Sequence, residues 1–128
     1  MYSLIATWTI KQGNEKAAVT ALKRLAKQVQ KHEEDTLIYL IHTPDMKELS
    51  LPTPSGLEVV FFEVYKDKAA FLAHLNGPIF TKFVADYLDL FLSTSSKAKD
   101  GETVTSAFVL VETLKRQAGF IRQGTIEA

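Results

Sequence analysis

The chain has 128 residues, of which 46% are hydrophobic, and its fifteen Lys+Arg balance fifteen Asp+Glu. That length suits one domain with a substantial core, and a zero formal charge gives no electrostatic reason to expect nucleic acid or an anionic membrane as partner. With no cysteine, disulfides, thiolate catalysis and zinc–thiolate sites are excluded, and no apolar run approaches the roughly 20 residues of a membrane span.

Residues 2–10 alternate, with Tyr2, Leu4, Ala6, Trp8 and Ile10 on one face, which predicts a strand with one strongly apolar side. The start lacks a charged n-region and a small-residue cleavage site, so it does not read as a signal peptide, and a cytoplasmic location is expected. A turn at Gln12-Gly13-Asn14 offers Asn14 as cap to a helix over 15–32. Ala18, Ala21, Leu22, Leu25 and Val29 form that helix's inward stripe, and its lysine-rich outer face, offset by Glu15, Glu33, Glu34 and Asp35 at the helix ends, reads as solvation.

Residues 36–43 read as a second strand, with Leu37, Tyr39 and Ile41 on one face and Ile38, Leu40 and His42 on the other. The segment 44–56, with three prolines and two serines, is a loop long enough to be a lid or an ornament. Residues 58–65 are a third strand. Asp67 is placed to cap a helix over 68–75; Asn76-Gly77 breaks it, and Pro78 suits the first position of another. That second helix is expected over 78–92, its face built by Ile79, Phe80, Phe83, Val84, Tyr87, Leu88, Phe91 and Leu92. Residues 93–100 read as a polar connection, 103–114 as the fourth strand, and 115–128 as a C-terminal tail with Phe120, Ile121 and Ile126 as its possible anchors.

The resulting order, β-α-β-β-α-β with a broken second helix, predicts an α+β, ferredoxin-like antiparallel sheet over 1–114 with both helices on one face. Strands two and three carry apolar residues on both faces (Val59 with Phe61, Val60 with Phe62), so the face away from the helices needs cover, and a second copy is the simplest cover. A homodimer is therefore expected.

Three groups stand out as candidates for chemistry. His74, at a helix end beside a break, is either an acid–base group reaching a cavity or a C-terminal cap of its own helix. Glu63 and Tyr65 share a strand face. If that face is the buried one, Glu63 is a perturbed carboxylate of the kind often found in sites, or else a sheet residue hydrogen-bonded to a neighbour such as Tyr39. Trp8, with Phe71, Phe80, Phe83 and Tyr87, forms either core or an aromatic wall. His32, His42 and His74 show no metal-ligand spacing, and there is no phosphate loop, nucleophile elbow or nucleotide fingerprint.

One pattern carries a family resemblance. A strand ending Glu63-x-Tyr65 is followed by Asp67, then Ala70-x-x-Ala73-His74-Leu75, and after a break Pro78-x-Phe80-x-x-Phe83. With the N-terminal LIATWTIKQGNEKAAVTAL, this resembles the antibiotic biosynthesis monooxygenase family over about the first 92 residues. The resemblance implies a homodimeric α+β barrel and a monooxygenase that acts on a small aromatic or quinol-type substrate and O₂ without a cofactor. On that reading His74, Glu63 and Tyr65 are the catalytic residues, and Trp8, Phe71, Phe80 and Phe83 bind the ring. Residues 78–92 hold no histidine and the first strand no asparagine, so the likeness does not extend to haem-degrading members. A non-catalytic ligand-binding or stress-associated dimer on the same scaffold is the alternative.

Overall fold

The computed structural model describes residues 1–97, 100–101, 103–107 and 109–124. Strand β1 (Tyr2–Thr9) leads through helix α1 (Glu15–His32) to β2 (Thr36–His42) and β3 (Glu58–Tyr65); α2 (Lys68–Asn76), α3 (Pro78–Tyr87) and a 3₁₀ turn (Leu88–Leu90) follow. Strands β4 (Ser93–Lys97), β5 (Thr103–Ala107) and β6 (Val109–Leu114) complete the order. The main sheet runs β2-β3-β1-β6 with every neighbouring pair antiparallel. This is the ferredoxin-like α+β arrangement that the element order predicts.

The alternation of β1 decides which way the sheet faces. Leu4, Ala6 and Trp8 lie opposite Glu63, Phe61 and Val59 of β3, and all six are buried. Across this face lies α1, whose buried residues are Ala18, Ala21, Leu22, Leu25 and Val29. Small side chains early in that stripe let the helix approach closely, and the larger ones fill the space further on. Asn14 occupies the N-cap position without a side-chain hydrogen bond. The Glu15 carboxylate instead accepts from the Gly13 amide at 3.0 Å, which satisfies the turn rather than the helix end. Asp67 does cap α2, accepting from the Ala70 amide at 2.8 Å.

Three elements differ from the sequence-based expectation. The helix over 78–92 ends at Tyr87. Beyond the 3₁₀ turn Phe91 takes extended backbone and bridges Ile10, while the Leu92 amide donates to the Thr9 carbonyl at 2.9 Å. Phe91 is thereby buried with its ring 5.1 Å from Trp8, a contact that a continued helix would forfeit. The stretch 93–100 is more than a connection, because Ser93–Lys97 pairs with Thr103–Ala107 as a separate two-stranded sheet. Thr103–Ala107 falls within the strand expected over 103–114, whereas the all-polar Ser93–Lys97 shows no hydrophobic period, so its strand character is silent to pattern reading. The fourth strand of the main sheet is accordingly Val109–Leu114 alone. In β2 the pairing shifts between Thr36 and Ile38, and Leu37 is half exposed rather than facing inward with Tyr39 and Ile41.

Two further segments bear on the site. None of residues 44–56 lines the main cavity, so this loop is no lid over it. Among the expected tail anchors, Ile126 lies outside the described residues, while Phe120 and Ile121 are exposed.

The junction of α2 and α3 is sterically exacting. A Cβ on Gly77 would lie 2.6 Å from the Ala73 carbonyl oxygen, which belongs to helix backbone and cannot swing aside. Gly77→Ala is therefore expected to destabilise the protein by about 1–3 kcal/mol, the usual cost of overpacking. A thermal or urea unfolding curve matching the wild type would show that the junction tolerates a shift.

Candidate functional site

Between the helix-facing side of the sheet and the α2–α3 pair lies a cavity of about 280 Å³. Strand β1 contributes Leu4, Ala6 and Trp8; β2 and β3 contribute Tyr39, Phe61 and Glu63. The helices close it with Phe71, His74, Leu75, Phe80 and Val84, and β6 adds Val109 and Val111. Val111 is 55% exposed and marks the open rim. The walls are almost wholly apolar. Polar groups are few and converge on one end, the usual form of a small-molecule site.

That polar end is built by three elements. Glu63 reaches it because its even spacing from Phe61 and Val59 on β3 puts it on the helix-facing side. His74 reaches it because α2 stops two residues later, and the side chain is buried rather than turned out to cap the helix. The C-terminal turn of α2 is closed by backbone instead, the Gly77 amide donating to the His74 carbonyl at 3.3 Å. Tyr39 stands directly opposite Glu63 in the β2–β3 register. Its ring lies 5.4 Å from the His74 ring, and the rings of Tyr65 and Phe80 lie at 5.6 and 5.0 Å. The imidazole is thus held on three sides by aromatic rings.

The hydrogen bonds fix the remaining geometry. The Tyr65 hydroxyl donates to Glu63 Oε1 at 2.5 Å. His74 Nδ1 lies 2.8 Å from Glu33 Oε1, and the Thr36 hydroxyl donates to the same oxygen at 3.0 Å. Burial raises the Glu63 carboxyl above its ordinary range, and the Tyr65 hydroxyl and the His74 charge only partly offset this. Burial, reinforced by the charges of Glu63 and Glu33, pushes the Tyr39 phenol well above its usual range, and Tyr65 is raised for similar reasons. Both tyrosines are therefore hydrogen-bonding groups near neutral pH and not bases.

Five of the seven residues singled out in the sequence line the cavity: Trp8, Glu63, Phe71, His74 and Phe80. Tyr65 does not reach the mouth. It is fully buried behind Glu63 and acts on the site through its hydroxyl. Phe83 is also set back, buried against Trp8 and Phe91 at 6.2 Å from each ring. His32 and His42 are exposed and stand apart from the cavity. Sequence reasoning took Glu33 for a charge balancing the lysines of α1. Its contact with His74 spans 41 residues of chain and has no local signature. Tyr39 had one: a residue opposite Glu63 on the neighbouring strand is a predictable cross-strand partner.

The antibiotic biosynthesis monooxygenase family model matches residues 1–86, and the chain belongs to that family. Its fold is shared by PA3566 from Pseudomonas aeruginosa at 22% identity, with 91% of this chain and 94% of that one covered and a TM-score of 0.65. Rv0793 from Mycobacterium tuberculosis is similar at 17% identity, 92% and 96% coverage and a TM-score of 0.65. A crystal structure described as an antibiotic biosynthesis monooxygenase matches at 19% identity, 91% and 98% coverage and a TM-score of 0.64. At these identities the likeness is one of fold. No curated protein matches in sequence. Among the described residues no helix is long and apolar enough to cross a membrane, and no group of three or more His, Asp or Glu is placed to hold a metal.

The buried carboxyl gives a pH signature. A group whose pKa rises on folding binds more protons in the native state, so its contribution to stability falls as pH climbs from the unfolded to the native value. Glu63→Gln keeps an acceptor for the Tyr65 hydroxyl and removes the titration. The variant should match the wild type at about pH 4, near the carboxylate's unperturbed value, and become progressively more stable than it toward neutral pH. Melting temperatures of both proteins across that range would reveal a constant or shrinking gap if Glu63 were ionised at little cost.

Proposed function

We propose that the protein is a monooxygenase for a small electron-rich aromatic, of the phenol or quinol type, that reacts with O₂ without a bound cofactor. The observation that carries this reading is the meeting of a buried histidine and a buried carboxyl at one end of an otherwise apolar, aromatic-walled cavity. Family membership supports the reaction class.

In this reading Trp8, Phe71 and Phe80 hold the ring by stacking and edge contacts. His74 takes the phenolic proton, and the resulting anion is electron-rich enough to donate to O₂. One oxygen atom enters the ring as a carbonyl. The other leaves as water with the phenolic proton and the displaced ring proton, all four electrons coming from the substrate. Glu63, protonated more readily than an exposed carboxyl, supplies a hydrogen bond to the substrate oxygen, and Tyr65 orients Glu63. Phe83 supports the Trp8 ring from behind.

Oxygen uptake with simple hydroquinones tests this reading. Uptake above the protein-free rate is expected, and in a folded His74→Ala variant it should fall by about 10²- to 10⁴-fold, the usual contribution of a general base. Uptake at the protein-free rate with the wild type would favour a ligand-binding role, and unchanged uptake in His74→Ala would remove this histidine as the base.

We also propose that the protein works as a homodimer through the sheet face opposite the helices. Ile5, Phe62 and Leu40 lie side by side there in register, with Val60 and Ile38 beside them, and all are partly exposed. Leu110 of the edge strand β6 continues this face at 63% exposure. A second copy would cover it, with the tail carrying Phe120 and Ile121 laid across the partner. Sedimentation at micromolar concentration should give twice the chain's 14.3 kDa; a monomer would contradict the proposal.

A further inference from the structure

Two openings meet at His74. Its ring lines the interior cavity and also a cleft of about 300 Å³ on the outer surface, between the end of α1 and the start of α3. Glu33 lines only the outer cleft. The side chain of His74 is 2% exposed and that of Glu33 is 19%. Their contact therefore runs from the buried ring toward solvent.

Glu33 is itself held. It is the residue that ends α1, its amide donating to the Val29 carbonyl, and its Oε1 takes the Thr36 hydroxyl as well as His74 Nδ1. A carboxylate can only accept, so the bond at 2.8 Å requires the proton to sit on Nδ1. In the neutral ring this leaves Nε2, on the opposite side of the imidazole, as the lone-pair nitrogen. The aromatic rings of Tyr39, Tyr65 and Phe80 prevent the ring from turning over to exchange the two nitrogens.

We propose that Glu33 is the positioning residue of the site. It fixes the Nδ1–H tautomer of His74, so that Nε2 is the atom that accepts the substrate's proton, and it stabilises the imidazolium that forms. This deepens the proposed oxygenase reaction and rests on His74 being its base. The step is a proton transfer only: the substrate O–H breaks, Nε2–H forms, Nδ1–H stays with Glu33, and the proton returns from Nε2 to the water that leaves. The charged and titratable groups around the ring are Glu33 at the end of α1, Tyr39 on β2, and Glu63 and Tyr65 on β3.

Imidazole ¹⁵N chemical shifts separate the tautomers directly. The chain has only three histidines; the signals lost in His74→Ala identify the His74 ring, and His42→Gln removes an exposed ring that lines neither opening. The neutral His74 ring is expected as Nδ1–H in the wild type and as a mixture shifted toward Nε2–H in Glu33→Ala. With a hydroquinone, Glu33→Ala should lose about ten- to a hundredfold in kcat, a typical effect for an orienting partner, with KM little changed. Glu33→Gln keeps an acceptor without the charge, so it should retain the tautomer and lose less. A wild-type ring found as Nε2–H, or a tautomer unaffected by Glu33→Ala in a protein that melts cooperatively, would overturn the proposal whatever the activity. Absent oxygen uptake by the wild type would instead count against the oxygenase reading, leaving the shifts to decide on Glu33.

Discussion

The packing around Trp8 sets the dimensions of everything else. It stands on β1, one of the two inner strands of the sheet, and four phenylalanine rings close around it: Phe61 from β3, Phe80 and Phe83 from α3, and Phe91 from the segment beyond. Each edge or tilted contact of this kind adds about 0.5–1.5 kcal/mol beyond the area it buries. The pull of Phe91 toward Trp8 explains why the helix stops at Tyr87 and why the chain then runs extended beside the end of β1. With α3 pinned at both ends of its apolar face, α2 must reach it through a sharp junction, and only glycine fits at residue 77.

That junction also determines where the cavity lies. Gly77 takes extended backbone between α2 and α3, so the two do not continue as one helix along the sheet, and the cavity falls where α2 ends. The residues placed there by strand period and helix length are Glu63 and His74, both polar. Burying them costs free energy unless they are partnered. Each has a partner, Tyr65 for Glu63 and Glu33 for His74, and among the described residues no buried side-chain polar atom is left without one. The two partners differ in kind. Tyr65 is neutral and leaves Glu63 with its pKa raised; Glu33 is a carboxylate and fixes the Nδ1 side of His74 by accepting its hydrogen bond. One end of the cavity thus combines a carboxyl that holds its proton more firmly than usual with a histidine whose orientation is fixed.

Much of the fold was legible because periodicity reports burial. The five residues assigned to the inner face of α1 are the five that are buried, and the alternation of β1 gave its core face correctly. Strand β4 was not legible, since the all-polar run 93–97 carries no hydrophobic period, and the strand expected over 103–114 is divided between the ribbon and the main sheet. Neither was the end of α3, where one long-range aromatic contact overrides a pattern that continues at helical spacing. In the site, Glu63 and His74 were visible as polar residues at apolar positions. Tyr65 and Phe83 were identified by the same stripes but stand behind the wall, because a stripe says which face a residue takes and not how deep it sits. Glu33 was invisible for a different reason: its role exists only once α1 and α2 are docked.

The two sides of the sheet then divide the labour of the molecule. The helix-facing side is filled except at the cavity, and its aromatic content is concentrated around β1. The other side keeps Ile5, Val60, Phe62 and Leu40 partly exposed in a continuous row, the apolar surface that the proposed dimer would cover. β6 belongs to both sides. Its Val109 and Val111 line the cavity rim while Leu110 lies on the open face, so a partner seated on that face would also hold the edge strand that borders the cavity. In the proposed dimer, assembly and the shape of the pocket would be coupled through one strand. A chain that bound its partner weakly would then have a looser pocket mouth even with every site residue in place.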